Sequence, residues 1–186
     1  LNGKKIKFRG TKAYIVTDNQ ILTANVKTFE NKEEINGFTN AVDLDFVSYN
    51  RLFVVDKGDS RVKVVDLLTS SITSDIETGD NTQPVFIVSN SYKSFVLNGG
   101  GVATQTKDST VVVIEYRDNL VALADFIGAL SVGDNPNSAV FSGNLKVLCQ
   151  GVYDPINSIN NTESSLSDVN QYSNQVYSTN TLTGIY

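Results

Sequence analysis

The side chains able to do chemistry in this sequence fall into short polar runs, each close to a glycine. They are Asp56-Lys57-Gly58-Asp59, Asn81-Thr82-Gln83, Asn98 with Gly99-Gly100-Gly101, Asp134-Asn135-Pro136-Asn137, and Gln150 with Tyr153-Asp154. Amide, hydroxyl and carboxylate groups at this density make many hydrogen bonds without concentrating charge, which suits a neutral polar ligand. The same residue types are what tight turns require, because Asn and Asp bond nearby backbone amides and glycine takes positive φ. Residue type alone leaves both roles open at every one of these positions.

What the runs lack narrows the chemistry further. The 186 residues contain no histidine, which removes the usual general base, the usual zinc ligand and every Ser-His or Cys-His pair. A lyase or lactonase needs converging bases or metal ligands, so the expectation is a non-enzymatic chain with no cofactor. Gly99-Gly100-Gly101 is followed by no helix and no Lys-Ser/Thr, so it does not make a phosphate loop. Asp56 with Asp59, or Asp154 with Glu163 and Asp168, offers oxygen ligands without the alternating acidic pattern of a calcium loop. Asn160-Asn161-Thr162 has the form of an N-glycosylation acceptor, and Asp108-Ser109-Thr110 resembles a bacterial O-glycosylation triplet.

A formal net charge of −5, with the only basic cluster at residues 4–7, argues against nucleic acid as a partner. No apolar run approaches the roughly 18 residues of a membrane-spanning helix. Cys149 is the single cysteine and lies in the apolar run LKVLCQG. It forms no internal disulfide and reads as a buried structural thiol.

The polar runs recur because the chain repeats. Lys12-Ala-Tyr-Ile-Val-Thr-Asp-Asn aligns with Arg51-Leu-Phe-Val-Val-Asp-Lys-Gly, Lys93-Ser-Phe-Val-Leu-Asn-Gly-Gly and Leu145-Lys-Val-Leu-Cys-Gln-Gly. A second strand is predicted after each, over 21–25, 62–66, 111–115 and 176–180. A third follows over 72–78 and 120–132, closed by Gly79-Asp80-Asn81 and Gly133-Asp134-Asn135. Another opens the next unit at 42–47, 85–88 and 138–141, with Pro84 and Pro136 placed where no ladder donor is lost. Residues 119–130 carry some helical periodicity, but their place in the repeat favours strand. The period of about 40 residues is that of a four-stranded propeller blade.

The expected architecture is therefore all-β: one β-propeller region of about four four-stranded blades, with repeats starting near 12, 51, 93 and 145. Such an arc leaves an apolar blade face bare at each end, so it is expected to be part of a larger ring within a longer chain, the alternatives being closure with four blades or completion by another chain. Two units are stretched by insertions at 99–109 and 151–173, the latter a loop with room for a short helical turn. Strands numbered from the axis outward are antiparallel, so second-to-third turns and exits to the next blade share one rim. All the polar runs and both insertions fall on that rim, where a rigid scaffold carries its binding loops.

Three segments carry a family likeness: FVVDKGDSRVKVVDLLT at 53–69, SVGDNPNSAVFSGNLKVLCQG at 131–151 and GFTNAVDLDFV at 37–47. They resemble the YVTN-type surface β-propellers, in particular the branch on the outer surface of Gram-negative outer membranes. The likeness implies an extracytoplasmic, cell-surface ring of about seven blades without catalysis. Some members of that branch are lipoproteins that capture a corrinoid and pass it to a TonB-dependent transporter. The resemblance thus implies a small polar ligand such as cobalamin and an outer-membrane transporter as partners. The alternative is a protein-interaction scaffold within a larger cell-envelope complex.

Overall fold

The computed structural model describes residues 2–79, 83–100, 107–116 and 124–183. Four antiparallel sheets follow one another along the chain, each with its strands paired in sequence order. The first blade contains β1 (Lys5–Arg9), β2 (Lys12–Val16), β3 (Gln20–Asn25) and β4 (Asn31–Asn36). The second contains β5 (Ala41–Phe46), β6 (Arg51–Asp56), β7 (Arg61–Asp66) and β8 (Ser71–Glu77). The third holds β9 (Pro84–Ser89), β10 (Lys93–Asn98), β11 (Thr110–Tyr116) and β12 (Ala124–Ser131). The fourth holds β13 (Pro136–Ser142), β14 (Asn144–Cys149), β15 (Ser165–Asn170) and β16 (Gln175–Thr181). Of the strand predicted over 120–132, residues 120–123 lie outside the described residues.

Blades stack face to face, and the stacking explains the strand sequences. In β6, Leu52 and Val54 pack against the first blade while Phe53 and Val55 pack against the third, and all four are fully buried. A strand covered on both faces must be apolar at successive positions, which a half-exposed strand is not. Each of the three interfaces holds an edge-to-face aromatic pair: Tyr14 on Phe46, with centroids 5.1 Å apart, Phe53 on Tyr116, at 5.7 Å, and Phe95 on Phe141, at 6.0 Å. Such a pair contributes about 0.5–1.5 kcal/mol beyond the area it buries.

The first strands of successive blades lie side by side, where their unpaired edges need partners. Asp43 and Asp45 of β5 supply them: their carboxylates accept the backbone amides of Ile87 (3.1 Å) and Ser89 (2.7 Å) of β9. Lys7 pairs with Asp45 at 2.7 Å and Lys5 approaches Asp43 at 3.7 Å. Burial nonetheless holds the Asp43 carboxyl above the ordinary aspartate range, since its amide and lysine neighbours offset the lost hydration only in part.

Three apolar clusters join the first blade to the second, the second to the third and the third to the fourth. None among the described residues joins the fourth to the first. The outer faces therefore stay open, with Ile6 and Phe8 exposed on the first blade and Val140, Leu148 and Tyr177 on the fourth. The described residues form an arc of four blades.

The fourth blade departs from the sequence expectation in two ways. Ser165–Asn170 is a strand inside the segment expected to be loop through 173, so the insertion ends at 164. Residues 176–180 consequently belong to the outermost strand, β16, and not to the third. The expected short helical turn is present at Ser158–Asn160. The repeat also starts one residue earlier than Leu145, at Asn144. Leu145, Val147 and Cys149 thereby face the third blade, leaving Lys146 and Leu148 on the open side. A slip of one residue exchanges the two faces of a strand.

Candidate functional site

One rim collects the second-to-third turns (57–60, 99–100 with 107–109, and 150–164) and the exits from the outermost strands (37–40, 78–79 with 83, and 132–135). The described residues of the polar runs lie there, and the structure separates those that hold the scaffold from those that face outward. Asp56 is fully buried at the end of β6. Its Oδ1 accepts the amides of Asn40 (2.7 Å) and Gly58 (3.1 Å), and its Oδ2 accepts that of Thr39 (2.8 Å). Asp59 takes an ion pair from Lys63 at 2.5 Å, and the Lys57 ammonium donates to the Gly100 carbonyl at 3.4 Å. This first run thus locks one blade exit to its own turn.

Asn81 and Thr82 lie outside the described residues. Gln83 is half-buried, and its carbonyl accepts the Gly100 amide at 3.3 Å. Asn137 donates to the Gln150 side chain at 3.3 Å, and Asp134 pairs with Lys107 at 3.4 Å. Asp154 accepts the amides of Asn157 (3.0 Å) and Ile156 (2.8 Å), which hold its carboxyl below the usual aspartate range.

The strongest convergence runs along the rim of the third blade, from the exit of the second blade to the start of the fourth. Asn98 Nδ2 donates to the Thr78 carbonyl (3.1 Å) and the Thr110 hydroxyl (3.0 Å), and that hydroxyl donates to Asp108 Oδ1 at 2.8 Å. Asn135 sends its backbone amide to the Asp108 carbonyl (2.7 Å) and its side-chain amide to the Gly151 carbonyl (2.8 Å). Gly99 presses so closely on this junction that a Cβ there would stand 2.7 Å from the Pro136 carbonyl oxygen. Three oxygens, Asn98 Oδ1, Asp108 Oδ2 and Asn135 Oδ1, are left buried without a hydrogen-bond partner among the described residues. Buried acceptors without donors are costly, and a group rich in N–H or O–H is the chemistry that relieves them. Asp108 is the member that residue type did not single out as a binding group; it stood out only within a modification triplet.

The insertion 150–164 contributes a different chemistry. Its base is tied by backbone bonds between Val152 and Thr162 at 3.1 and 3.0 Å, and Gly151 turns it with φ of +81°. A Cβ at Gly151 would lie 2.3 Å from the Thr162 carbonyl oxygen, so only glycine fits. On this base Tyr153, Ile156 and Ile159 stand 71%, 96% and 85% exposed. The two isoleucines escaped the sequence reading because they follow no period. Their presence in an otherwise polar loop was the available signal.

No family model and no curated protein matches the sequence. Solved structures do match in three dimensions. Hydrazine synthase from Kuenenia stuttgartiensis superposes with a TM-score of 0.72 at 17% identity, covering 93% of this chain and 46% of that one. The dihydro-heme d1 dehydrogenase NirN gives a TM-score of 0.70 at 12% identity, covering 97% of this chain and 37% of that one. The WD40 domain of Neurospora crassa Pan2 gives 0.69 at 11% identity, covering 95% and 51%. At these identities the fold alone is shared. Four antiparallel four-stranded blades and these neighbours make the chain a β-propeller, and it spans about half the length of the structures it matches or less.

Proposed function

We propose that this chain is the binding portion of a non-enzymatic β-propeller on the cell surface, acting with another envelope protein such as an outer-membrane transporter. The observation that carries the reading is the insertion 150–164, which holds Tyr153, Ile156 and Ile159 out in solvent on a tied base. Apolar side chains fixed at a loop tip are what a protein partner buries as anchors. The YVTN-like motifs support the surface placement, and the absence of histidine supports a role without catalysis. The test places a photo-crosslinking amino acid at Ile156 in the producing cell, with Tyr49 on the opposite rim as control. Crosslinks from Ile156 alone to an outer-membrane protein support the proposal. Equal crosslinking from both positions, or none from Ile156, refutes it.

A second reading is favoured by the oxygens of Asn98, Asp108 and Asn135, which have no partner among the described residues and run along the third blade's rim to its junction with the fourth. A small polar ligand with several amide N–H groups, of which a corrinoid is one, supplies the missing donors. Calorimetric titration with cobalamin tests this directly. Heat that disappears in Asn135→Ala supports capture of such a ligand at the junction, and no heat from the parent chain removes it.

A further inference from the structure

The opposite rim carries a cavity that neither reading uses. It has a volume of about 320 Å³ and opens between the third and fourth blades, where the first-to-second turn of one meets the third-to-fourth turn of the other. Small-molecule sites start near this size, roughly 300 Å³. Two tyrosines flank it, Tyr92 at 72% exposure and Tyr172 at 77%. Each is presented in the same way: the side-chain oxygen of Asn90 accepts the Tyr92 amide at 2.9 Å, and that of Asn170 accepts the Tyr172 amide at 2.8 Å.

The floor is built and rigid. Asn90 donates to the Gln171 side chain at 2.8 Å, and Gln171 donates on to the Gly143 carbonyl at 2.7 Å, so a chain of amides bridges the blades. Tyr116 is buried beneath, packs edge-on against Phe53 at 5.7 Å and donates its hydroxyl to the Asn90 carbonyl. Lys93 is 9% exposed, and its ammonium is held by the Tyr172 carbonyl (3.0 Å), the Asn174 side chain (2.9 Å) and the Gln171 carbonyl (3.3 Å). Across the ladder from Lys93 stands Glu115, exposed at the cavity's edge.

These walls select by charge and shape. An anion meets the Glu115 carboxylate and finds the three Lys93 hydrogens already donated. An organic cation drawn by Glu115 meets the Lys93 ammonium across the same ladder, so the cavity wall carries no net charge to select it. A neutral molecule avoids both, and the Tyr92 and Tyr172 rings require that it carry an apolar face. Glu115 and the two exposed phenol hydroxyls require hydroxyl groups at its edge. We infer that this cavity binds a neutral saccharide of one or two rings, with a pyranose face laid on Tyr92 or Tyr172 and its hydroxyls bonded to Glu115.

The test is an NMR titration of the ¹⁵N-labelled chain with maltose, lactose, cellobiose and N-acetylglucosamine, with choline and acetate as charged controls. At least one saccharide is expected to shift the amides of Tyr92, Lys93, Glu115 and Tyr172. The double variant Tyr92→Ala/Tyr172→Ala should weaken that binding roughly tenfold or more with an unchanged melting temperature, because both rings lie on exposed turns. Glu115→Gln keeps the shape and should weaken binding through the lost charged acceptor. Failure of all four saccharides, undiminished binding by the double variant, or choline or acetate binding at these residues overturns the proposal. Neither the 150–164 insertion nor Asn135 is touched, so this result is independent of the function proposed above.

Discussion

Removing the Asp56 carboxylate separates a scaffold role from a ligand role more sharply than any other single change. The carboxylate is fully buried and accepts three backbone amides, those of Thr39, Asn40 and Gly58, at 2.8, 2.7 and 3.1 Å. Each hydrogen bond to a charged acceptor is worth about 1.5–3 kcal/mol. Thr39 and Gly58 are exposed residues, so water recovers part of the loss, and the net cost of Asp56→Ala comes to about 2–4 kcal/mol. Asp56→Asn should cost less, about 1–2 kcal/mol: its remaining oxygen serves Asn40 and Gly58, while its amide group faces the Thr39 donor. With a urea slope near 2–3 kcal/mol/M, Asp56→Ala should lower the unfolding midpoint by about 1 M and Asp56→Asn by about half of that. Far-UV circular dichroism in urea reads both. An Asp56→Ala midpoint within about 0.2 M of the parent would refute the assignment of Asp56 to the scaffold.

Three further outcomes follow from the same structure. Gly133→Ala places a Cβ 2.0 Å from Ser165 Oγ and 2.9 Å from Cys149 Cβ, so it should lower the melting temperature by several degrees, whereas Gly143→Ala, with nothing within 4 Å, should cost only the roughly 1 kcal/mol of backbone strain at its φ of +72°. Cys149 is buried and its thiol is pushed up by that burial, so labelling by a thiol reagent at pH 8 should be slow in the folded chain and rise steeply in urea. The Asp43 carboxyl, also raised by burial, holds a proton in the folded state at pH values where the unfolded chain has released it. Stability should therefore fall as pH rises from about 4 through the folded value, and Asp43→Asn should flatten that part of the profile measured by urea midpoints. Identical slopes for parent and variant would remove Asp43 from the account.

The second and third blades were legible because both faces of their second and third strands are covered, and covered strands must be written in Val, Leu, Ile and Phe; the first blade followed from its alignment with them. The fourth blade was misread where that rule relaxes. In β15 the side chains turned toward the third blade include Ser165 and Ser167, small hydroxyls beside Cys149, while Leu166 points to the open side. Leu166 and Val169, three residues apart, therefore face opposite sides and leave no period-two apolar pattern, so a loop was the natural reading. The frame at Leu145 slipped for a related reason. Lys146, paired with Asp168, occupies the position that Phe53 and Phe95 fill in the second and third blades, so the aromatic marker of the register is missing.

The site posed a different limit. Asp56, Asn98 and Asn135 stand at turns where backbone capping and ligand binding ask for the same side chains, and no property of residue type distinguishes a carboxylate that holds three amides from one that waits for a ligand. What distinguishes them is satisfaction. Asp56 has every oxygen occupied, whereas Asn98 and Asn135 each keep one buried oxygen without a donor among the described residues. That difference depends on Asp108, Thr78 and Gly151 arriving from other strands and loops. A binding rim can therefore be located from the repeat, because antiparallel order dictates which turns share an end. The residues on it that remain free for chemistry are decided by contacts between blades, which are long-range in sequence and exist only once the sheets have stacked.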